Sequence, residues 1–546
     1  MNPTQLLAHF DRISEAPDAV ARLRRFILDL AVRGKLVEQD PSDEPAAELL
    51  KRIQAEKTRL VKVGAIRKQE QLSEVNASDE LFKIPASWCW VRLSHVLTKL
   101  TDGTHHSPPN EPEGEFMYVT AKNIKPEGIS VTNITYVSAE VHSEIYGRCN
   151  PEKGDILYIK DGATTGVVTI NNLDQPFSML SSVALLKLST CLNNRLVVEF
   201  LRSPFFYGQM RGFMKGAAIP RVTLKRMAPA HIPLPPLAEQ HRIVAKVDEL
   251  MALCDELAAA QIEREVRRDQ LVAASLNHIG TAPAAAAETV TENQTATSLH
   301  DAARFHLNHL PRLTTRPEHI KQLRQTILKL AVCGQLSHVD EWQTRPESLS
   351  TFIRLQNGYA FKSEWFVPKG VRLLRNANVT HGTLRWEELV CLPENQADQF
   401  EKYSLNAGDI VLSLDRPFIV TGTKVARVRE QDIPCLLLQR VGRFQFDPNR
   451  ISGAYLFLWL HSPQFTSQID PGRSNGVPHI SSKQVEAALI LVPPLAEQHR
   501  IVARVDELMA LCDQLETQLT TTQTDSRRLL EAVLRDVLET IAVATG

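Results

Sequence analysis

One feature limits the folds open to this chain more than any other: a 23-residue segment occurs twice. PPLAEQHRIVAKVDELMALCDEL at 235–257 returns as PPLAEQHRIVARVDELMALCDQL at 493–515, with two positions different. A second repeat lies upstream, where LRRFILDLAVRGKL from Leu23 is answered by LRQTILKLAVCGQL from Leu323, and Pro17 by Pro317. Such self-similarity means that one structural unit is built twice. The two offsets, 258 and 300, differ by 42, so the first half holds about 42 extra residues between its repeated blocks. They fall in EPAAELLKRIQAEKTRLVKVGAIRKQEQ, from Glu44 to Gln71, where Leu49, Leu50, Ile53 and Leu60 predict an amphipathic helix that the second half lacks.

Between the repeated blocks lie two variable regions, rich in Gly, Pro, Asn and short β-branched runs such as GDILYIK at 154 and GDIVLSL at 408. Only landmarks keep register across them: Gly154-Asp155-Ile156 with Gly408-Asp409-Ile410, Ser203-Pro204 with Ser462-Pro463, and Pro220 with Pro478. The expected organisation is an N-terminal helical region (1–81), a variable domain (82–235), a central helix (236–280), a linker (281–300), a second helical block (301–344), a second variable domain (345–493) and a C-terminal helix (494–546). The linker TAPAAAAETVTENQTATSLH is small-residue, polar and of low complexity.

In the repeated segment Ile243, Val247, Leu250, Cys254 and Leu257 recur at 4-3-4-3 spacing, as do Ile501, Val505, Leu508, Cys512, Leu515 and Leu519. That is a coiled-coil seam. Pro235 and Pro236 stand where a helix start tolerates proline, and Glu239 suits the positive end of the helix dipole. About 40 residues at ~1.5 Å each give a rod near 60 Å, longer than the ~34 Å turn of B-DNA. Two such helices can pair about a pseudo-two-fold axis and hold two different globules apart. The predicted class is α+β: two mixed α/β domains separated by long paired α-helices, an antiparallel coiled-coil-like spacer in a pseudo-two-fold arrangement.

The formal charge of −1 argues against a generic polyanion binder, but the charge is unevenly spread. Residues 82–235 carry 16 Lys+Arg against 12 Asp+Glu, and residues 349–494 carry 16 against 13. Both variable regions are therefore basic, and between 202 and 226 Arg202, Arg211, Lys215, Arg221, Lys225 and Arg226 occur without an acid. No apolar run approaches the ~20 residues of a bilayer span. The eight cysteines lie dozens of residues apart, with no zinc or C-x-x-C spacing, and the N-terminus has no export signal; a reducing cytoplasm is the expectation.

These residues resemble the specificity subunit of type I restriction-modification systems. The resemblance is carried by the PPLAEQ helix and its copy, FKIPASWCWVRL from Phe82, TDGTHHSPP from Thr101, KGAAIPRVTLKRM leading into IPLPPLAEQ, and EPAAELLKRIQAEKTRLV. It covers essentially the whole chain. It implies two target-recognition domains, each reading one half of a bipartite DNA site, and helices that pair as a spacer and dock methyltransferase subunits, two of them. It further implies a chain without catalytic residues or cofactor, with S-adenosylmethionine, ATP and Mg on partner methyltransferase and restriction/translocase subunits. The second domain departs from the pattern at its start, where EWQTRPESLSTFIRLQNGYAFKS replaces the FKIPASWCWVRL and TDGTHH segments.

The residues themselves agree with a non-catalytic chain. Its Pro-Pro pairs, SPPN, LPPL and VPPL, are not the N-P-P-[FY] type that holds a flipped base amine. Gly162-Ala-Thr-Thr-Gly166 lacks the Lys-Ser/Thr of a phosphate loop, His105 and His106 have no ligand cluster around them, and Cys254 and Cys512 sit on the seam as small hydrophobes. For DNA, cations grip phosphates while Arg or Lys reads guanine and Asn or Gln reads adenine. The expected contacts in the first domain are Lys122, Asn123, Lys160, Lys215, Arg221 and Lys225. In the second they are Arg375, Asn376, Asn378, Arg416, Arg473, Asn475 and His479. The alternative is a non-catalytic protein–protein scaffold with a duplicated helical bundle, in which the basic stretches serve solvation.

Overall fold

The computed structural model describes residues 16, 18–67, 72–76, 79–213, 221–280, 304–306, 308–310, 312–336, 345–474 and 477–544. Lys215, Asn475 and the predicted linker at 281–300 lie outside these residues, as does the side chain of Arg473. The chain forms two compact units, residues 1–262 with 523–546, and residues 263–522.

Each variable region folds around an antiparallel four-stranded sheet. In the first unit the strand order is Leu97–Asp102, Val183–Leu188, Ile156–Ile159, Val168–Ile170. In the second it is Ile353–Asn357, Val441–Phe446, Ile410–Ser413, Val425–Arg427. A three-stranded sheet accompanies each: Phe116–Val119 lies between antiparallel Thr135–Val137 and parallel Ser178–Met179, as Val371–Leu374 lies between Cys391–Leu392 and Cys435–Leu437. Sequences that barely match thus build the same pair of sheets.

The GDI landmarks show why. Gly154 and Gly408 both turn the chain at positive φ, +92° and +94°, where a side chain would be strained. The strands that follow, ILYI and IVLS, are buried at every position. Side chains alternate between the faces of a strand, so a continuous apolar run means two covered faces. Ile156 and Tyr158 join one core while Leu157 and Ile159 join another. Ile410 and Leu412 divide from Val411 in the same way.

The first and last strands of each region pair, Cys89–Arg92 with His231–Leu234 and Glu347–Ser348 with Leu489–Ile490. The Pro-Pro step then leads into the long helices Leu237–Gly280 and Leu495–Ala544. The glutamine of the repeated AEQ fastens each globule to its helix. Gln240 is fully buried; its Oε1 accepts from the Asn193 N–H at 3.0 Å and its Nε2 donates to the Pro235 carbonyl at 3.0 Å. Gln498 accepts from the Ser452 N–H at 2.7 Å and donates to the Pro493 carbonyl at 2.8 Å. Asn193 and Ser452 are the N-caps of Asn194–Arg202 and Gly453–Leu460, so an otherwise orphaned helix donor is satisfied in both places.

The seam positions find partners within their own unit. Ile243, Val247 and Cys254 pack on Ile27, Leu28 and Ala31 of the helix Ala19–Val32. Ile501, Val505 and Cys512 pack on Ile320, Ile327 and Ala331 of Pro317–Val332. Ion pairs flank both seams, Arg195 with Asp248 at 2.6 Å in the first unit and Arg324 with Asp513 at 2.6 Å in the second. Each long helix belongs to both units in turn, the change falling after Ile262 and after Thr522. In the first unit Leu530 and Val533 cover Ala16 and Ala19; in the second Val272, Leu276 and Ile279 cover Leu313 and Leu330.

The extra segment of the first half forms the helix Ala46–Lys62, whose Ala46, Leu49 and Ile53 are buried against Val91, Leu93, Val96 and Leu97. At the corresponding place in the second half, the half-buried Phe352 is covered instead by the Arg450 guanidinium, 5.1 Å from its ring centre.

Candidate nucleic-acid interface

The strand Ile156–Ile159 delivers Lys160 and Asp161 to the end of the sheet. Lys160 is 2% exposed, and a buried ammonium is tolerated only when paired. Its Nζ lies 3.0 Å from Asp161 Oδ2 and 3.4 Å from Asp102 Oδ2. Asp102, itself buried at the end of Leu97–Asp102, also takes Arg148 Nη2 at 2.5 Å and His105 Nε2 at 3.3 Å. Asp161 takes Arg221 Nε at 3.2 Å. The carboxylates are thus inside, while Arg148, His105 and Arg221 stand about half exposed. Leaving His105 aside, the three cations Lys160, Arg148 and Arg221 meet two anions, and the two arginines stand at the solvent side.

The second domain builds the same corner with other residues. Asp415, seven residues after Gly408 as Asp161 is after Gly154, bridges His479 as Asp161 bridges Arg221. His479 Nδ1 lies 2.7 Å from Asp415 Oδ1, and Arg440 reaches both, Nη1 at 3.2 Å from His479 Nε2 and Nε at 3.9 Å from Asp415 Oδ2. Arg416 follows, exposed, where the first domain has Gly162. Arg416 and Arg440 both hold left-handed backbone, at φ +47° and +74°, which costs an L-residue roughly 1–2 kcal/mol each. Arg440 reaches the Asp415 carboxylate and Arg416 is its chain neighbour, bound through its backbone N–H to the Pro478 carbonyl at 2.8 Å, so the strain is gathered at one corner, as it is at many functional sites.

The structure brings Lys160 and Arg221, and Arg416 and His479, to these corners, and it corrects three of the expected base contacts. Lys160 is buried between two aspartates, and its counterpart in the second domain is Leu414, also buried, so it holds the corner together and presents nothing to a base. Asn123 is buried, with its Oδ1 accepting from the Thr120 N–H at 3.0 Å and its Nδ2 donating to the Ser130 carbonyl at 3.2 Å. Asn378 closes the equivalent loop, accepting from the Arg375 N–H at 3.1 Å and donating to the Arg385 carbonyl at 2.9 Å. Both amides are spent on the fold. Arg375 binds Glu388 at 3.1 Å, and the Asn376 carbonyl accepts from Lys424. Lys122 and Lys225 are exposed away from the corner contacts, and Arg473 lies on the strand Gly472–Ser474.

Asp102, Arg148, Asp161, Asp415 and Arg440 are the members that the sequence reading did not single out. Asp161 and Asp415 carried a signal, the shared seven-residue step from the GDI glycine. Asp102 and Arg148 carried none, being joined only by the fold. Among the described residues no group of three or more His, Cys, Asp or Glu is placed to hold a metal ion, and no helix is long and apolar enough to cross a membrane.

The family described as "Type I restriction modification DNA specificity domain" matches residues 85–268 and 354–522, so most of both variable regions and of their long helices is included. The specificity subunit of the type I restriction enzyme EcoAI of Escherichia coli is 33% identical, over 94% of this chain and 93% of that one. That of EcoEI, also of Escherichia coli, is 25% identical over 94% and 93%. The crystal structure of the HsdS subunit from Thermoanaerobacter tengcongensis aligns over 83% of this chain and 97% of that chain, at 20% identity and a TM-score of 0.41. A duplicated globule-and-helix unit, matched by that family model over both halves and by the EcoAI subunit along nearly its whole length, belongs to the family of type I restriction-modification specificity subunits, non-catalytic chains with DNA-recognition domains.

Proposed function

We propose that each recognition domain reads one half of a bipartite, asymmetric site in double-stranded DNA through the cations held at its aspartate corner. One observation carries this reading: the same corner is built twice, with an inward carboxylate and outward basic side chains, yet the outward residues differ, Arg148, His105 and Arg221 in one domain and Arg416, Arg440 and His479 in the other. Shared architecture with unlike readers is what two different half-sites require. In this reading the long helices set the gap and dock two methyltransferase subunits, and restriction/translocase subunits join that assembly in the cytoplasm. S-adenosylmethionine, ATP and Mg act on those partners. The near-neutral charge of the whole chain fits a subunit whose partners supply much of the phosphate grip.

The test is single-molecule sequencing of DNA from cells expressing the cognate methyltransferase subunit with and without this chain. A gapped, asymmetric methylation motif that depends on the chain is expected. Its absence, with a methylation-competent partner present, would turn the reading toward a protein–protein scaffold.

A further inference from the structure

Beside the first domain's corner lies a polar concavity of about 700 Å3 that none of the corner's ion pairs uses. Tyr118, Thr120, Lys122, Lys125, Asn133 and Leu180 are among the residues that line it, and no carboxylate is. Tyr118 is 3% exposed, yet its hydroxyl has no hydrogen-bond partner, an arrangement that costs roughly 1–3 kcal/mol. Burial pushes this phenol up to about 12, so at neutral pH it keeps its proton and is a donor without an acceptor. Lys122 and Lys125 are exposed, and among the described residues neither meets a carboxylate; Lys153 and Lys187 of the same domain both do. Asn133 holds left-handed backbone at φ +55° in the same wall.

The concavity adjoins the corner through the chain itself. Leu180 bridges Thr104, two residues from Asp102, and the Ser182 carbonyl accepts from the Lys160 N–H at 2.9 Å. The second domain has no such donor set, since Leu373, Ala377 and Thr380 stand at the places of Tyr118, Lys122 and Lys125. A neutral base edge would leave two ammonium charges uncompensated, whereas a phosphodiester accepts hydrogen bonds and carries the opposite charge.

We propose that this concavity seats a backbone phosphate of the DNA beside the first half-site, with the Tyr118 hydroxyl and the Lys122 and Lys125 ammonium groups as donors. The proposal rests on the half-site reading above and makes Tyr118 a positioning residue for that half alone. The experiment uses the complex of this chain with its methyltransferase subunits and measures affinity for specific and random duplexes across a salt series. Tyr118→Phe, which removes only the hydroxyl, is expected to weaken binding to both duplexes about 10- to 150-fold, as for a lost hydrogen bond to a charged group. Lys122→Ala and Lys125→Ala are each expected to lower the slope of log affinity against log salt by about one. In all three variants the methylated motif stays unchanged. A set of specific duplexes, each with one methylphosphonate, should reveal a position where neutralisation weakens the wild type but not the Lys122→Ala, Lys125→Ala double variant. A motif relaxed at one base in Tyr118→Phe would overturn the proposal in favour of base reading, and unchanged affinity and slope would overturn it outright. A wild type that binds both duplexes alike would defeat the half-site reading instead, and the slopes on random DNA would still decide the concavity.

Discussion

Asp102→Asn offers a direct measure of what the buried carboxylates do. Lys160, 2% exposed, has two anionic neighbours, Asp161 at 3.0 Å and Asp102 at 3.4 Å. Removing one partner of a buried pair costs ~3–5 kcal/mol when nothing replaces it. Here Asp161 remains and is the nearer of the two, so about 2–3 kcal/mol is expected. Arg148 and His105 are half exposed and regain water, adding less than ~1 kcal/mol. Lys160→Met should be far milder, about 1 kcal/mol or less, because Asp102 keeps Arg148 and Asp161 keeps Arg221. The double variant should therefore cost little more than Lys160→Met alone. Hydrogen exchange in the assembled complex reads this locally: amides of Ile156–Ile159 and Val183–Leu188 should exchange ~30- to 150-fold faster in Asp102→Asn and near the wild-type rate in the double variant. Ile410–Ser413, followed by Leu414 rather than lysine, serves as internal control. Unchanged exchange in Asp102→Asn, or strictly additive variants, would refute the claim that Lys160 is a buried charge held by these two groups.

Arg416→Gly should stabilise the second unit by up to ~1 kcal/mol in urea unfolding, since glycine relieves the left-handed backbone, while weakening DNA binding by the complex. Gln498→Leu strands the Ser452 N–H and the Pro493 carbonyl and should cost ~1–3 kcal/mol; a change under ~0.5 kcal/mol would mean the glutamine is not the fastener described. His461 is half-buried beside His381, its ring centre 4.4 Å away, and loss of solvent pulls it down to about 4 from 6.5. Between those values the unfolded state binds the extra proton, so stability present above pH 6.5 is lost as pH falls toward 4. That amounts to about 2 kcal/mol between pH 7 and pH 5, and His461→Gln should flatten this part of the urea-midpoint profile. Exchanging residues 82–235 for another recognition domain should change one half of the methylated motif; a change in both halves would contradict the modular reading.

The duplicated helices, the Pro-Pro step before them, the inserted helix and the GDI strands were all legible in the sequence, because each is set by a periodicity or punctuation local to a few turns of chain. The seam at Ile243, Val247 and Cys254 declared an apolar stripe, but a stripe names no partner, and the fold supplied the helix Ala19–Val32. Unlike the helices, the corners are made across distance: Asp102, Arg148, Lys160 and Arg221 span some 120 residues and meet only because two strands end at one edge of a sheet. Lys160, Asn123 and Asn378 read in one dimension as groups available to DNA, since polarity along a chain predicts exposure on average. Only tertiary structure shows them buried, and burial reverses their meaning: a polar group removed from water must spend its hydrogen bonds and charge on the protein. The residue types were settled by the sequence, whereas the side of the surface on which each one stands was settled by packing.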